Sequence, residues 1–152
     1  MTRTATASTA LLDQVDAAAA DARRLWAEHF VPQLDQTSPV PSTSLGLQRV
    51  HAAFIAAVGG LRTGTTRCCP HVDLSAPRPM VWVAWRPRVI QCGHPECMLA
   101  LDVAATGQDD YVCDGCSRYA PSTLTAVSWT SGVFLLGADL CRRCRTTPGA
   151  VA

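Results

Sequence analysis

The chain has 152 residues, 13 Lys plus Arg against 12 Asp plus Glu for a formal net charge of +1, and a hydrophobic fraction of 48%. This length holds one domain, or one small domain with an appendage, and excludes a large multidomain enzyme. Many of the apolar residues are Ala, and Ile occurs only at Ile55 and Ile90, so the core is expected to be thin and to need support beyond burial.

From Thr9 to Val31, the apolar residues Leu11, Leu12, Val15, Ala18, Ala22, Leu25, Trp26 and Phe30 recur at helical spacing. Ser8 or Thr9 is placed to cap the start, and Pro32 lies just past the end. Pro39 and Pro41, set among Ser and Thr, mark Gln33 to Ser44 as a linker. A second helix is predicted over 45–58, with Leu47, Val50, His51, Phe54 and Val58 on one face and Gly59-Gly60 as its stop. The two helices are expected to pack as an antiparallel hairpin, an arm over residues 1–60.

After Gly64 the texture changes to short β-rich runs broken by Cys, Gly and Pro, which places a second unit at 61–152. Strands are predicted over Met80–Trp85, Arg88–Gln91, Thr123–Thr130 and Gly132–Leu136, while Met98–Thr106 fits either a short helix or a strand. The expected class is α+β. No run of about 18 apolar residues occurs, and Met1 to Ala10 lacks the charged and apolar regions of a secretory signal. The expectation is a soluble, cytoplasmic protein with no membrane span.

In a reducing compartment, eight Cys read as metal ligands rather than disulfides. Cys113-x-x-Cys116 and Cys141-x-x-Cys144 are two knuckles separated by 24 residues, enough for one β-hairpin that brings them together. Two residues between sulfurs let both thiolates reach one tetrahedral zinc ion at about 2.3 Å. A redox C-x-x-C needs only one pair, and a four-thiolate iron–sulfur cluster is the chemical rival.

A second site draws on Cys68, Cys69, His71, Cys92, His94 and Cys97, six groups for four positions. Cys69, His71, Cys92 and Cys97 meet the tetrahedral count; Cys68 for Cys69, or His94 for Cys92, keeps it. Separate sites and an interleaved cross-brace, suggested by Cys92-x-His94-x-x-Cys97, both stay open. The second unit reads as two hairpin-plus-ligand units holding two zinc ions.

Cys113-Asp114-Gly115-Cys116, followed by Gly132 to Leu140 and Cys141-Arg142-Arg143-Cys144, resembles treble-clef and zinc-ribbon domains, including the N-terminal zinc domain of Clp-protease ATPases. The resemblance covers about 32 residues. It departs from a full treble clef where the second knuckle should open a helix, because Pro148 and Gly149 allow at most one turn, so a ribbon or clipped treble clef is implied. Such domains serve protein contacts, nucleic-acid binding and scaffolding.

His94-Pro-Glu96 followed by Cys113-x-x-Cys116 spells the ligands and acid/base Glu of zinc nucleobase deaminases. That reading strands Cys141 and Cys144, lacks a Pro before Cys113 and leaves 16 residues for an intervening strand and helix. A closed four-thiolate site also holds no water for chemistry. No catalytic residue is therefore assigned.

Residues 60–152 hold nine Arg against seven Asp and Glu, and seven thiolates with two Zn²⁺ bring that half to about −1. This balance favours a non-catalytic interaction or regulatory adaptor, with a zinc-dependent DNA- or RNA-binding protein as the alternative. Arg86, Arg88, Arg118, Arg142, Arg143 and Arg145 are the residues a nucleic-acid patch would use. A protein partner or homodimer is expected through the N-terminal helices, whose apolar stripes need cover.

Overall fold

The computed structural model describes residues 3–30, 43–73, 75–105 and 111–149. In chain order these form α1 (Arg3–Leu25), a π-helical turn (Trp26–Phe30), α2 (Leu45–Thr63), β1 (Arg67–Cys68), β2 (Met80–Val83), β3 (Val89–Cys92), α3 (Pro95–Ala105), β4 (Leu124–Ser131), β5 (Phe134–Cys141) and α4 (Arg142–Thr146). The five strands make one sheet in the order β1-β3-β2-β5-β4. β2 runs antiparallel to β3, and β4 to β5, whereas β2 and β5 pair in parallel from Met80 opposite Phe134 to Val83 opposite Gly137.

Alternation along the central strands decides the layering. Met80 and Trp82 of β2 share one core with Leu136, Ala138 and Leu140 of β5 and with Val50, Phe54 and Ala57 of α2. Val81 and Leu135, on the opposite face, pack with Ala22 of α1 and Leu101 of α3, flanked by Leu25, Trp26, Val83 and Trp85. Helices therefore cover both sides of the sheet. Trp82 is fully buried at the centre, where the Phe54 ring stands 5.6 Å from it and 4.9 Å from Phe134 in an edge-on arrangement.

The mixed α+β class holds, but the expected helix-on-helix hairpin does not. Met80-Val81-Trp82-Val83 is apolar on both faces and requires cover on both, while each helix carries a single apolar stripe; one helix goes to each side. The α2 core joins residues from both sides of the texture change at Gly64. Trp26 adds a polar tie, its indole N–H donating to Ser128 Oγ at 2.8 Å on β4.

Other element limits also move. α2 begins as expected, with Ser44 capping the Leu47 N–H, but it passes through Gly59-Gly60 and ends at Gly64, whose φ of 71° provides the left-handed cap. Gly60 has another use: its carbonyl accepts the N–H groups of Thr65 and Thr66 at 3.0 and 3.1 Å, and a side chain there would collide with both threonines. β5 continues past Leu136 to Cys141 because Ala138 and Leu140 keep facing the core. The segment around Met98 is helical, with Leu101 inward and Leu99 and Val103 exposed. Up to residue 42, the linker expected over Gln33–Ser44 lies outside the described residues.

Candidate metal centres

The first cluster is assembled at one end of β3. The Cys69 N–H bonds to Ile90 O at 3.2 Å, fixing the chain beside β3, and the Val72 N–H closes a turn onto Cys69 O at 3.1 Å that presents His71. β3 ends at Cys92; Pro95 then opens α3, whose first turn contains Cys97. The ligand atoms of Cys69, His71, Cys92 and Cys97 all lie within 4.8 Å of one another. Cys92 Sγ is 3.7 Å from Cys97 Sγ, and His71 Nδ1 is 3.3 Å from Cys97 Sγ.

The second cluster repeats the plan. A tight turn over Cys113-Asp114-Gly115-Cys116, held by Ser117 N–H to Cys113 O at 2.7 Å, precedes the β4–β5 hairpin; Cys141 ends β5 and Cys144 sits in α4. Ser117 takes a φ of 56°, a left-handed conformation uncommon outside glycine, to complete the turn. The four sulfurs again lie within 4.8 Å, with Cys116 and Cys141 3.9 Å apart. Two sulfurs bound at about 2.3 Å to one tetrahedral ion would be separated by about 3.8 Å, so both clusters have the dimensions of a metal cage.

Backbone amides are aimed at the sulfurs. Cys92 N–H donates to Cys69 Sγ at 3.3 Å and Cys141 N–H to Cys113 Sγ at 3.2 Å. At Cys69 and Cys141 burial raises the thiol, but hydrogen bonds from Cys92 and Cys144 N–H groups and from neighbouring thiols outweigh it, and both end below the ordinary cysteine value. At Cys97 burial and the adjacent thiols push the value up to about 12, and Cys113 and Cys144 are raised as well, burial being the largest cause in each. Each cluster thus sets a thiol lowered by hydrogen bonds beside a thiol raised by burial.

Asp114 locks the second turn onto the sheet. Its carboxylate accepts the Asp139 N–H at 2.7 Å while its own N–H donates to Asp139 O at 2.8 Å. Burial raises this carboxyl to about 6, against the opposing pull of the Asp139 N–H.

The structure does not bring Cys68 or His94 into either cluster. Cys68 is exposed on β1. His94 is exposed and stacks on His71 with ring centroids 4.9 Å apart, its Nδ1 accepting from the Glu96 N–H at 3.4 Å. Because each set is contiguous in sequence, 69–97 and then 113–144, the sites are sequential and the cross-brace is excluded. The deaminase constellation is not assembled either, since Cys113 and Cys116 meet Cys141 and Cys144 while His94 and Glu96 lie beside the other cluster.

Sequence reasoning missed Gly46 and Arg49. The missing side chain of Gly46 lets α2 press against Cys144, and Arg49 donates to Gly115 O at 3.1 Å, holding the turn from the helix side. A glycine in the first turn of a helix was the available signal. No protein-family model matches the chain, and no curated protein or solved structure matches it. Among the described residues, no helix is long and apolar enough to cross a membrane.

Proposed function

We propose that each cluster holds one structural zinc ion and that the chain is a non-catalytic cytoplasmic adaptor built from two clipped treble-clef units. The observation that carries this reading is the closed donor set. Cys69, His71, Cys92 and Cys97 supply three sulfurs and one imidazole, and Cys113, Cys116, Cys141 and Cys144 supply four sulfurs, so either set fills a tetrahedral ion with no position left for reactive water. The order turn, β-hairpin, helix is the same at both sites, and it is the order that treble-clef units follow. Zinc suits these soft ligands and this geometry better than calcium, magnesium or manganese, which take oxygen donors.

Protein contact belongs to the first half of α1. Ala18, Ala19 and Ala22 are buried, but Leu11 and Leu12 further up the same helix are 45% and 61% exposed. A second reading, nucleic-acid binding, is favoured by an arginine-lined groove beside the Cys113 cluster.

Elemental analysis of the purified chain tests the central claim. Two zinc ions per chain, lost together with cooperative unfolding on chelation, is the expected result. One ion, or the visible absorption of an iron–sulfur cluster, would overturn it.

A further inference from the structure

An open groove of about 670 Å³ runs between the start of α2, the 113–123 segment and α4. Arg49, Arg118, Arg142 and Arg143 line it together with Tyr119, and its thirteen lining residues include no Asp or Glu. The ion pairs of Arg24 with Asp21 and Glu28 lie on α1 and the π-helical turn that follows it, away from this groove. Asp114 and Asp139 are the acids closest along the chain, and Asp114 turns its carboxylate to the Asp139 N–H.

The electrostatic balance survives metal loading. Four thiolates around one divalent ion carry about −2, and four guanidinium groups carry +4, so the groove stays positive while the second half as a whole is close to neutral. Four of the thirteen arginines line this groove. Tyr119 stands over it 69% exposed, presented by an antiparallel bridge to Val112 and met edge-on by Tyr111 at 5.8 Å.

We infer that this groove binds single-stranded nucleic acid, with phosphates on Arg118, Arg142 and Arg143 and a base stacked on Tyr119. The assignment rests on the structural-zinc reading, because the Cys141–Cys144 knuckle is what holds Arg142 and Arg143 in place. Three features select this ligand. A protein partner needs an apolar core to its interface, whereas the aliphatic lining here is limited to Leu45 and Ala120. A duplex is read by a helix or ribbon entering the major groove, and α4 has only five residues. A basic channel flanked by an exposed aromatic ring is the arrangement that tracks a single strand while stacking its bases.

The test is fluorescence polarisation of labelled twelve-nucleotide oligo-dT and oligo-rU with the full, zinc-loaded chain. Three to four phosphate contacts predict that affinity falls about 20- to 50-fold between 50 and 200 mM salt. Arg142→Gln combined with Arg143→Gln is expected to weaken binding at least tenfold, and Tyr119→Leu about tenfold, with zinc content unchanged. Should the arginine pair lose zinc, Arg118→Gln and Tyr119→Leu carry the test, since neither is adjacent to Cys141 or Cys144. The inference is overturned by absence of binding at 50 mM salt, by unchanged affinity in the Arg118 and Tyr119 variants, by a twelve-base-pair duplex binding more tightly, or by polyglutamate competing equally well. A chain that keeps two zinc ions and unfolds cooperatively yet binds no oligonucleotide rejects the groove assignment alone; a chain lacking two zinc ions rejects the structural reading first, and the assignment with it.

Discussion

Gly46 of α2 and Cys144 of α4 approach so closely that a methyl group on Gly46 would sit 2.7 Å from Cys144 Cβ and 2.8 Å from its carbonyl oxygen. Gly115 completes the contact, its absent Cβ lying 3.0 Å from Gly46 Cα and 3.1 Å from Cys144 Sγ. The chain end reinforces it, with Leu45 N–H donating to Thr147 O at 2.9 Å and Gly149 N–H to Thr43 O at 2.7 Å. Gly46→Ala should therefore destabilise the protein by about 1–3 kcal/mol through overpacking, and weaken metal retention at the Cys113 cluster only. Titration with a chromophoric chelator checks this: half of the zinc should leave more readily than from the parent chain. Uniform weakening of both sites would contradict it.

The two centres should release metal at different rates. His71 is exposed and Cys69 half-buried, whereas three of the four sulfurs at the other centre are buried. Chelator access then predicts two phases, with the fast one absent in His71→Ala and the slow one absent in Cys116→Ser. The opposite assignment would sink the prediction.

Phe54 is the principal tie between α2 and the sheet, 4% exposed and in ring contact with Trp82 and Phe134. Phe54→Ala should cost about 3–5 kcal/mol, because the removed ring leaves a cavity that Trp82, clamped by its own N–H bond to Pro87 O at 3.2 Å, cannot fill. Thermal unfolding of the zinc-loaded protein measures the loss. A change under about 1 kcal/mol would mean that α2 does not depend on this contact.

At Asp114 the relevant property is the acceptor oxygen. Asp114→Ala removes the partner that the Asp139 N–H uses and should cost about 1–3 kcal/mol, whereas Asp114→Asn keeps an oxygen there and should cost less. Comparing the two denaturation midpoints separates hydrogen bonding from charge. Equal losses would refute the hydrogen-bond account.

The sites were more legible than the architecture. Spacing points to Cys113, Cys116, Cys141 and Cys144 and narrows the first site to six groups, from which the structure gathers Cys69, His71, Cys92 and Cys97 and leaves Cys68 and His94 out. Short gaps between paired ligands, two residues at Cys113/Cys116 and Cys141/Cys144 and one at Cys69/His71, are a local constraint, visible without knowing the fold. Which face of the sheet a helix covers is not local: Ala22 and Phe54 carry similar apolar signals, yet they belong to different layers because Val81 and Trp82 point in opposite directions. Gly59-Gly60 misled for a related reason, since the glycine was needed for Thr65 and Thr66 to pack back on the helix and not for a turn. Arg118, Arg142 and Arg143 are candidates for a basic patch in sequence, but Arg49 and Tyr119 are not, and only the convergence of α2 and α4 sets them beside the others.

The parallel ladder of β2 and β5 joins the half of the sheet that carries the first cluster to the half that carries the second. Each half has its own ligands, hairpin and following helix, so the molecule is organised like a two-subunit complex whose subunits share one polypeptide. Cutting the chain between Ala105 and Tyr111 would leave β2 and β5 as bare edges, each with apolar residues on both faces. The seam between the halves is wider than that ladder, because α2 of the first half also packs on β5 and reaches Gly115 and Cys144 of the second cluster, so the two halves are joined by a strand pair and a helix together.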